Sequence, residues 1–443
     1  MKFLRSFYIN LRFFGALAIL VVLFVLGFFW PVFLVFGKAG AITIVLLLVL
    51  DVVLLYSVRD GVKAVRDMAD RLSNGDENEI RLYVRNRYPF PLTLTLIDEI
   101  PHQFQVRDAK YKSRLATGKE IIVRYMLRPV RRGEYNFGAI NIFANTLIGF
   151  VDRRYRFDQH QTVPVYPSYI QMRKYELMAH SNRLSELGIK KVRRIGHTME
   201  FDQIREYVVG DDYRLVNWKA TARRGHLMVN QYQDERSQRV YSIIDKGRTM
   251  KMPFERMTLL DYAINASLVL SSIAVYRQDR AGLATFSKRV ETVLPAERTR
   301  MQMHKIVEML YNQETDFPES DFEHLYTVIR RGITTRSLLF LFTNFETLSA
   351  LQRQLPYLRR IAKLHLLVVV FFENTELQDL LASRPETTEE VTIKTIGEQF
   401  AWEKRQIVKE LERHGILSIY TPPEGLTANT VNKYLEIKAR RMV

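Results

Sequence analysis

Asp245 ends an apolar run, "VYSIID", and a hydroxyl follows it at Thr249; farther on, "SLLFLFT" leads into Thr343 and Asn344. Open α/β sheets gather their chemistry at the carboxyl ends of their strands, where all four of these residues fall. Side chains of this kind can supply the oxygen shell of a divalent cation, or a carboxylate for proton transfer. A second cluster lies in "REYVVGDDYRLVNWKATARRG", from Arg205 through Tyr207 and Gly210 to Gly225. There Arg205 and Arg214 alternate with Glu206, Asp211 and Asp212, with Glu200 just before them and Arg223 and Arg224 at the end. Guanidiniums suit bidentate recognition of carboxylates, and their planes can stack on Trp218. The run reads either as an internal clasp between domains or as a docking surface for a protein partner. A single-strand nucleic-acid groove wants several exposed aromatics and few acids, so the acids here argue against nucleic acid.

Other chemistries lack their usual marks. The sequence has no G-x-x-x-x-G-K-[ST] phosphate loop, no G-x-G-x-x-G, no H-E-x-x-H and no G-x-S-x-G. Its nine histidines are scattered, and without cysteine there is no thiolate nucleophile, disulfide framework or cysteine-rich zinc site. An enzyme of another class would have to use Asp245, Asp211 or Asp212. A net charge of +17 points to acidic partners such as anionic lipid or an acidic protein face.

These residues need elements to hold them. In the second half, residues 236–443, "SLLFLFT" and "LHLLVVVFF" are apolar on both faces, as befits strands of a parallel sheet covered by helices on both sides. "AGLATF" and "VETVL" read as a hairpin, "ILSIY" as a last strand, and helical patterns around 260–274, 301–310, 322–329, 348–361, 377–381 and 428–440 supply the connections. The expectation is a doubly wound α/β domain. Residues 61–167 show period two instead, as in Ile80, Leu82 and Val84, with turn signals between runs. An immunoglobulin-like β-sandwich of about seven strands is expected. Arg131, Arg132, Arg153 and Arg154 would be either a basic face toward anionic lipid or ordinary solvated charges. Residues 168–235 read as a linker holding the charged run.

Residues 1–60 read as a transmembrane helical hairpin, with spans at 13–36 and 39–58 and a turn at "GKAG". Lys2, Arg5 and Arg12 before it, and Arg59, Lys63, Arg66 and Arg71 after it, put both ends and the soluble mass in the cytoplasm by the positive-inside rule. Asp51 interrupts the second span. It reads as a protonated or snorkelling acid packed against the neighbouring helix, or as an oligomer or proton-coupling contact.

A double membrane hairpin, a β-segment with "RRGEY" and "VYP", then "GDDYRLVNWKATAR" and a strand ending in "DKGRTM" together resemble the domain of unknown function 58 family. The resemblance spans essentially the whole chain and implies a von Willebrand factor A-like second half. In such domains a magnesium site uses Asp-x-Ser-x-Ser, a threonine from a second loop and an acid from a third. Carried over, it implies Asp245 and Thr249 from "DKGRT", Ser320 or Asp321 from the second loop and Asn344 from the third. Gly247 stands where the first serine should be and Asn344 where an acid should be, so an eroded, non-binding site is expected. The family's association with MoxR-type AAA+ ATPases implies a membrane-anchored, non-enzymatic adaptor for such a partner. An enzyme and a membrane-surface scaffold are the rival readings.

Overall fold

Pro31 has no amide hydrogen, which suits the first turn of a helix, where that hydrogen would find no acceptor. In the computed structural model it opens the second of two N-terminal helices, α1 (Leu11–Phe29) and α2 (Pro31–Ser57), with Trp30 extended between them. The turn is therefore at Trp30, and the Gly37 to Gly40 stretch expected to form it continues as helix within α2. A β-carbon on Gly27 would lie 3.0 Å from the Leu34 backbone, so glycine there lets the two helices close on each other. Both are long and apolar enough to cross a membrane.

The structure describes residues 5–106, 109–180, 199–234, 237–375, 377, 381, 385 and 387–442, without the side chains of 180, 199–202, 232–234 and 300. Lys2 and most of the expected 377–381 helix lie outside them. The chain divides into two compact units, Met1–Tyr166 and Pro167–Val443.

In the first unit the hairpin joins the strands β1 (Phe7–Ile9), β2 (Val62–Asp67), β3 (Leu72–Ser73), β4 (Asn78–Asn86), β5 (Leu92–Asp98), β6 (Lys110–Leu115), β7 (Glu120–Leu127), β8 (Gly133–Phe137), β9 (Ile140–Asn145), β10 (Val151–Phe157) and β11 (Gln161–Tyr166). Ten of these fall where about seven were expected, because the chain splits among three sheets: β1-β10-β9-β5-β6, β2-β4-β7 and β3-β11-β8. Period-two burial holds: Ile80, Leu82 and Val84, then Leu92, Leu94 and Leu96, all enter one core shared by the three sheets.

The hairpin is fastened to that core at both ends. Before α1, β1 pairs antiparallel with β10. At the far end Leu55 is buried in the sheet core, and Asp51 is fully buried as well. The Asp51 carboxylate accepts from the Thr146 hydroxyl and from the Phe150 and Val151 amides, the latter two at 2.9 Å. Asp51 is thus neither a lipid-facing acid nor a contact with the neighbouring helix; it receives the loop between β9 and β10. Arg153 caps the same helix end. Its guanidinium donates to the carbonyls of Leu55, Val58 and Arg59 and lies 4.6 Å over the Tyr56 ring. Arg154 bonds Asn141 at 2.7 Å, and Arg66 is buried against Asp98. These three arginines bond within the unit; of the other two residues offered for a basic face, Arg131 is exposed and Arg132 is half-buried.

The second unit holds α3 (Tyr169–His180), β12 (Met199–Glu206), α4 (Trp218–Arg224), β13 (Met228–Asp234), β14 (Arg239–Asp245), β15 (Pro253–Phe254), β16 (Met257–Thr258), α5 (Leu259–Tyr276), β17 (Arg280–Phe286), β18 (Val290–Glu297), α6 (Arg300–Tyr311), α7 (Phe322–Gly332), β19 (Leu338–Phe342), α8 (Leu348–Leu364), β20 (Leu366–Phe372), α9 (Thr388–Arg413), β21 (Leu417–Thr421) and α10 (Leu426–Ala439). Six strands form one sheet in the order β18-β17-β14-β19-β20-β21, parallel except for β18, which runs back along β17. Alternate residues face opposite layers. Phe340, Phe342, Val368 and Val370 meet α5 and α10, while Leu339, Leu341, Leu367 and Val369 meet α7, α8 and α9. Burial on both faces explains the unbroken apolar runs. Helix α5 also has the length and hydropathy of a span, but it is buried in this core.

Candidate functional site: the carboxyl end of the sheet and a projecting wing

Strands β14 and β19 are neighbours where the chain reverses its course across the sheet, so their carboxyl ends form a natural crevice. Asp245 sits there, essentially buried. One carboxylate oxygen accepts from the Gly247 amide at 2.8 Å and from the Ser320 hydroxyl; the other accepts from the Thr343 hydroxyl at 2.7 Å. Burial pushes the Asp245 carboxyl above its ordinary range, and these three donors pull the other way. A β-carbon on residue 247 would fall 1.9 Å from the Ser320 oxygen, so the glycine and the serine fit only together.

The cation expected of a von Willebrand A-like site does not fit this arrangement. Magnesium needs oxygen lone pairs turned toward one point, often with two carboxylates. Here a single buried carboxylate is wrapped by neutral donors. Asp245 and Ser320 do meet, but the described partners of Asp245 do not include Thr249, which is half-buried in the turn Arg248–Met250. Asp321 caps α7 through the His324 amide, leaving Ser320 as the second-loop residue at the carboxylate. Asn344 faces a cation already: its amide oxygen accepts from the Lys404 ammonium at 3.0 Å. Among the described residues no three acids or histidines are grouped to hold a metal ion.

Beside this knot a cleft of about 430 Å³ opens over the ends of β19, β20 and β21. Lys404 reaches into it from α9 and donates to Asn344 and to the Phe345 carbonyl. Burial pulls its ammonium pKa down to about 8, with Glu346 partly opposing. Glu346, Glu373 and Tyr420 share the lining. Burial first, then the charge of Glu373, pushes the Tyr420 hydroxyl up to about 12. The sequence reading passed over Lys404. Its signal was a lysine at helical spacing with Phe400, Ile407 and Leu411, on the face of α9 that enters the core.

The charged run forms a wing of its own. Strands β12 and β13 pair antiparallel, and the loop between them carries α4. Arg205 grips Asp211 through two bonds of 2.8 and 2.7 Å, and Asp211 also accepts from the Val208 amide. The Arg205 guanidinium, then the Val208 amide, hold the Asp211 carboxyl below its ordinary range. Between them Gly210 takes φ 114°, a conformation that favours glycine. Tyr207 is half-buried and ties its amide to the Leu227 carbonyl at 2.9 Å. Asp212 caps the turn at the Arg214 amide, and Asn217 caps α4 at Ala220. Glu206 pairs with His226. Glu200 pairs across to Gln233 in backbone register; its side chain lies outside the described residues.

On this bonded frame Trp218 and Tyr213 are each 71% exposed and Val209 is 96% exposed. Arg214 lies over the Tyr213 ring at 5.8 Å, in place of the stacking on Trp218 that seemed available. Arg223 and Arg224 are exposed. The clasp is therefore local, Arg205 to Asp211, while the tryptophan faces outward. The signal lay in "WKATARR", which has no apolar stripe at helical spacing to bury.

Residues 203–410 match the family described as "Protein of unknown function DUF58". The uncharacterized protein YeaD of Bacillus subtilis is 27% identical over 243 residues, 53% of this chain. This chain spans 58% of the length of that curated relative. Among solved structures, the conserved hypothetical protein BatB of Bacteroides thetaiotaomicron is 10% identical with a TM-score of 0.30, over 46% of this chain and 100% of that one. The SpRpn10 VWA domain is 11% identical with a TM-score of 0.27, over 44% of this chain and 94% of that one.

Proposed function

The chain carries the domain of unknown function 58 over residues 203–410, and from that premise we propose that it is a membrane-anchored adaptor whose wing docks a protein partner, a MoxR-type AAA+ ATPase. The observation that carries this reading is the exposure of Trp218 and Tyr213 beside Arg214, Arg223 and Arg224 on a frame fixed by the Arg205–Asp211 pair. Tryptophan, tyrosine and arginine dominate the energetics of protein interfaces, and a preformed frame lowers the ordering cost of binding. The partner's matching face is acidic, and no magnesium ion bridges it. A von Willebrand A-like second unit is supported by the sheet order, its one antiparallel edge strand and an acid at the end of β14. The enzyme reading has less support: Asp211 is a counter-ion locked to Arg205, and Asp245 is sealed among neutral donors.

In this reading the hairpin spans the membrane twice and leaves both units in the cytoplasm. Because the sequence has no cysteine, single cysteines introduced at Glu79 and near the C-terminus report topology without background. Labelling of both from outside intact cells by an impermeant reagent would reverse the orientation. For docking, the full chain in lipid nanodiscs is titrated with a purified MoxR-type ATPase. Trp218→Ala should weaken binding by about 2 kcal/mol, roughly thirtyfold, with melting unchanged. The double charge reversal Arg223→Glu, Arg224→Glu should do likewise. Equal affinity for parent and both variants refutes the wing as the docking surface.

A further inference from the structure

The cleft at the ends of β19 to β21 has a charge opposite in sign to the net charge of the chain. In a chain of net charge +17, the described residues of its lining carry two carboxylates, Glu346 and Glu373, the latter bonded by the Tyr420 hydroxyl, against one ammonium, Lys404. Lys404 gives two of its three donors to neutral oxygens, those of Asn344 and Phe345, so its head points toward the loop after β19. The walls are apolar, formed by Phe254, Phe372, Leu377 and Phe400 among others. A hollow with apolar sides and an excess of negative charge matches a long cationic side chain, whose methylene stem lies on the walls while its head meets carboxylate.

A second observation extends the site beyond one side chain. Ile393, Ile396 and Phe400 follow one another at helical spacing on α9 and are 44%, 50% and 43% exposed. Phe400 belongs both to this stripe and to the cleft wall, so it links the helix face to the hollow. Apolar patches of this kind, rimmed by polar residues, mark protein interaction sites.

We propose that this cleft and the adjoining face of α9 bind a basic, apolar segment of a partner protein, with one lysine or arginine inserted between Glu346 and Glu373 and flanking aliphatic residues laid along Ile393, Ile396 and Phe400. This contact is separate from the wing and has opposite charge preference, so the two stand or fall independently.

Lys404 itself provides the readout. Its pKa near 8 leaves much of it as free amine at mildly alkaline pH, and mass spectrometry follows the acetylation rate of that one lysine in the full chain held in nanodiscs. The probes are the short peptides Ac-Leu-Arg-Leu-Leu-amide and Ac-Leu-Glu-Leu-Leu-amide, too small to partition strongly into the bilayer. The arginine peptide should slow acetylation of Lys404 about fivefold, as for a site four-fifths occupied. The glutamate peptide should leave the rate unchanged. Protection is read as a ratio with and without peptide, so a change in the intrinsic reactivity of a variant cancels. In the Glu346→Gln, Glu373→Gln variant the arginine peptide should lose its protection, and Phe400→Ala should lose part of it while the charges remain. A hydrogen-exchange map of β19 to β21 matching the parent shows that each variant is folded. Protection by the glutamate peptide equal to or greater than that by the arginine peptide would make Lys404 an anion site and overturn the proposal. Absence of protection by either peptide would overturn it too, as would full protection of the double glutamine variant.

Discussion

Replacing Asp51 with leucine exchanges a fully buried acceptor for an apolar group of similar shape that can accept no hydrogen bond. The Phe150 and Val151 amides would lose their acceptor, and the Thr146 hydroxyl would lose its partner. A buried donor left unpaired costs about 1 to 3 kcal/mol, so two amides and a hydroxyl, less a modest apolar gain, come to about 4 kcal/mol. At about 1.4 kcal/mol per decade this is roughly a thousandfold increase in local opening. Asparagine is the control. Its carbonyl can take both amides while its amino group faces Thr146, so Asp51→Asn should cost only about 1 kcal/mol. Hydrogen exchange followed by mass spectrometry on the full chain in nanodiscs reads the effect where it occurs. Peptides from β9 and β10 should exchange roughly a thousandfold faster in Asp51→Leu, while those from β14, in the other unit, should match the parent. Exchange in β9 and β10 unchanged by leucine would show that the carboxylate does not hold this loop. Equal damage from asparagine and leucine would show that the charge matters and the hydrogen bonds do not.

Asp245→Asn should leave the melting temperature at pH 7.5 unchanged or raise it, since it removes a buried charge and keeps an acceptor. The parent should also gain stability relative to that variant as pH falls through the raised Asp245 pKa toward the ordinary aspartate value, because the folded state holds the proton more tightly there. Calorimetry of the parent should find no saturable magnesium site below about 1 mM; micromolar binding lost in Asp245→Asn would refute the sealed knot. Gly247→Ala should cost about 1 to 3 kcal/mol by crowding Ser320, and in the presence of Ser320→Ala it should cost at least about 1 kcal/mol less; strictly additive urea-denaturation energies would contradict the clash. For Lys404 the unfolded chain holds its proton more tightly than the folded one between about 8 and the ordinary 10.5, so the parent should gain stability over Lys404→Met as pH rises through that window and show a constant difference below it. Urea denaturation of the pair at pH 7.5, 8.5 and 9.5 measures this, and a difference independent of pH would remove the buried ammonium from the account.

The parts of this fold that follow from short-range pattern were legible in the sequence. Apolar runs such as "LHLLVVVFF" announced strands buried on both faces, and Asp245 at the end of "VYSIID" announced the crevice beside β19. Pairings distant in sequence were not legible. Asp51 meets Thr146 and Val151 across about a hundred residues of chain, and nothing within its own helix distinguishes that partner from lipid. The hairpin turn was misplaced because "GKAG" carries stronger turn residues than "FFWPV", while the decisive fact was Pro31 at the start of a helix. Gly247 was read as the loss of a serine. Only the position of Ser320 shows that the glycine makes room for a hydroxyl arriving from another loop. Trp218 was read as a platform on which arginines could stack, whereas its short helix leaves it exposed and Arg214 lies over Tyr213 instead.

The way the hairpin is fastened also sets an order of events during synthesis. Asp51 finds its partners in residues 146 to 151, which leave the ribosome about a hundred residues later, and β1 finds its own in residues 151 to 153, later still relative to itself. At about 5 to 20 residues per second, that is a wait of roughly 5 to 20 seconds for Asp51 and roughly 7 to 30 seconds for β1. During this interval the two apolar helices must already have a place to go, for they cannot be shielded by sheets that do not yet exist. The hairpin thus becomes the starting surface on which the sheets close, and a short strand before it waits for an edge still to be made. A fusion placed directly before Phe7 would act on that waiting strand, slowing assembly of the first unit without altering any contact in its finished form.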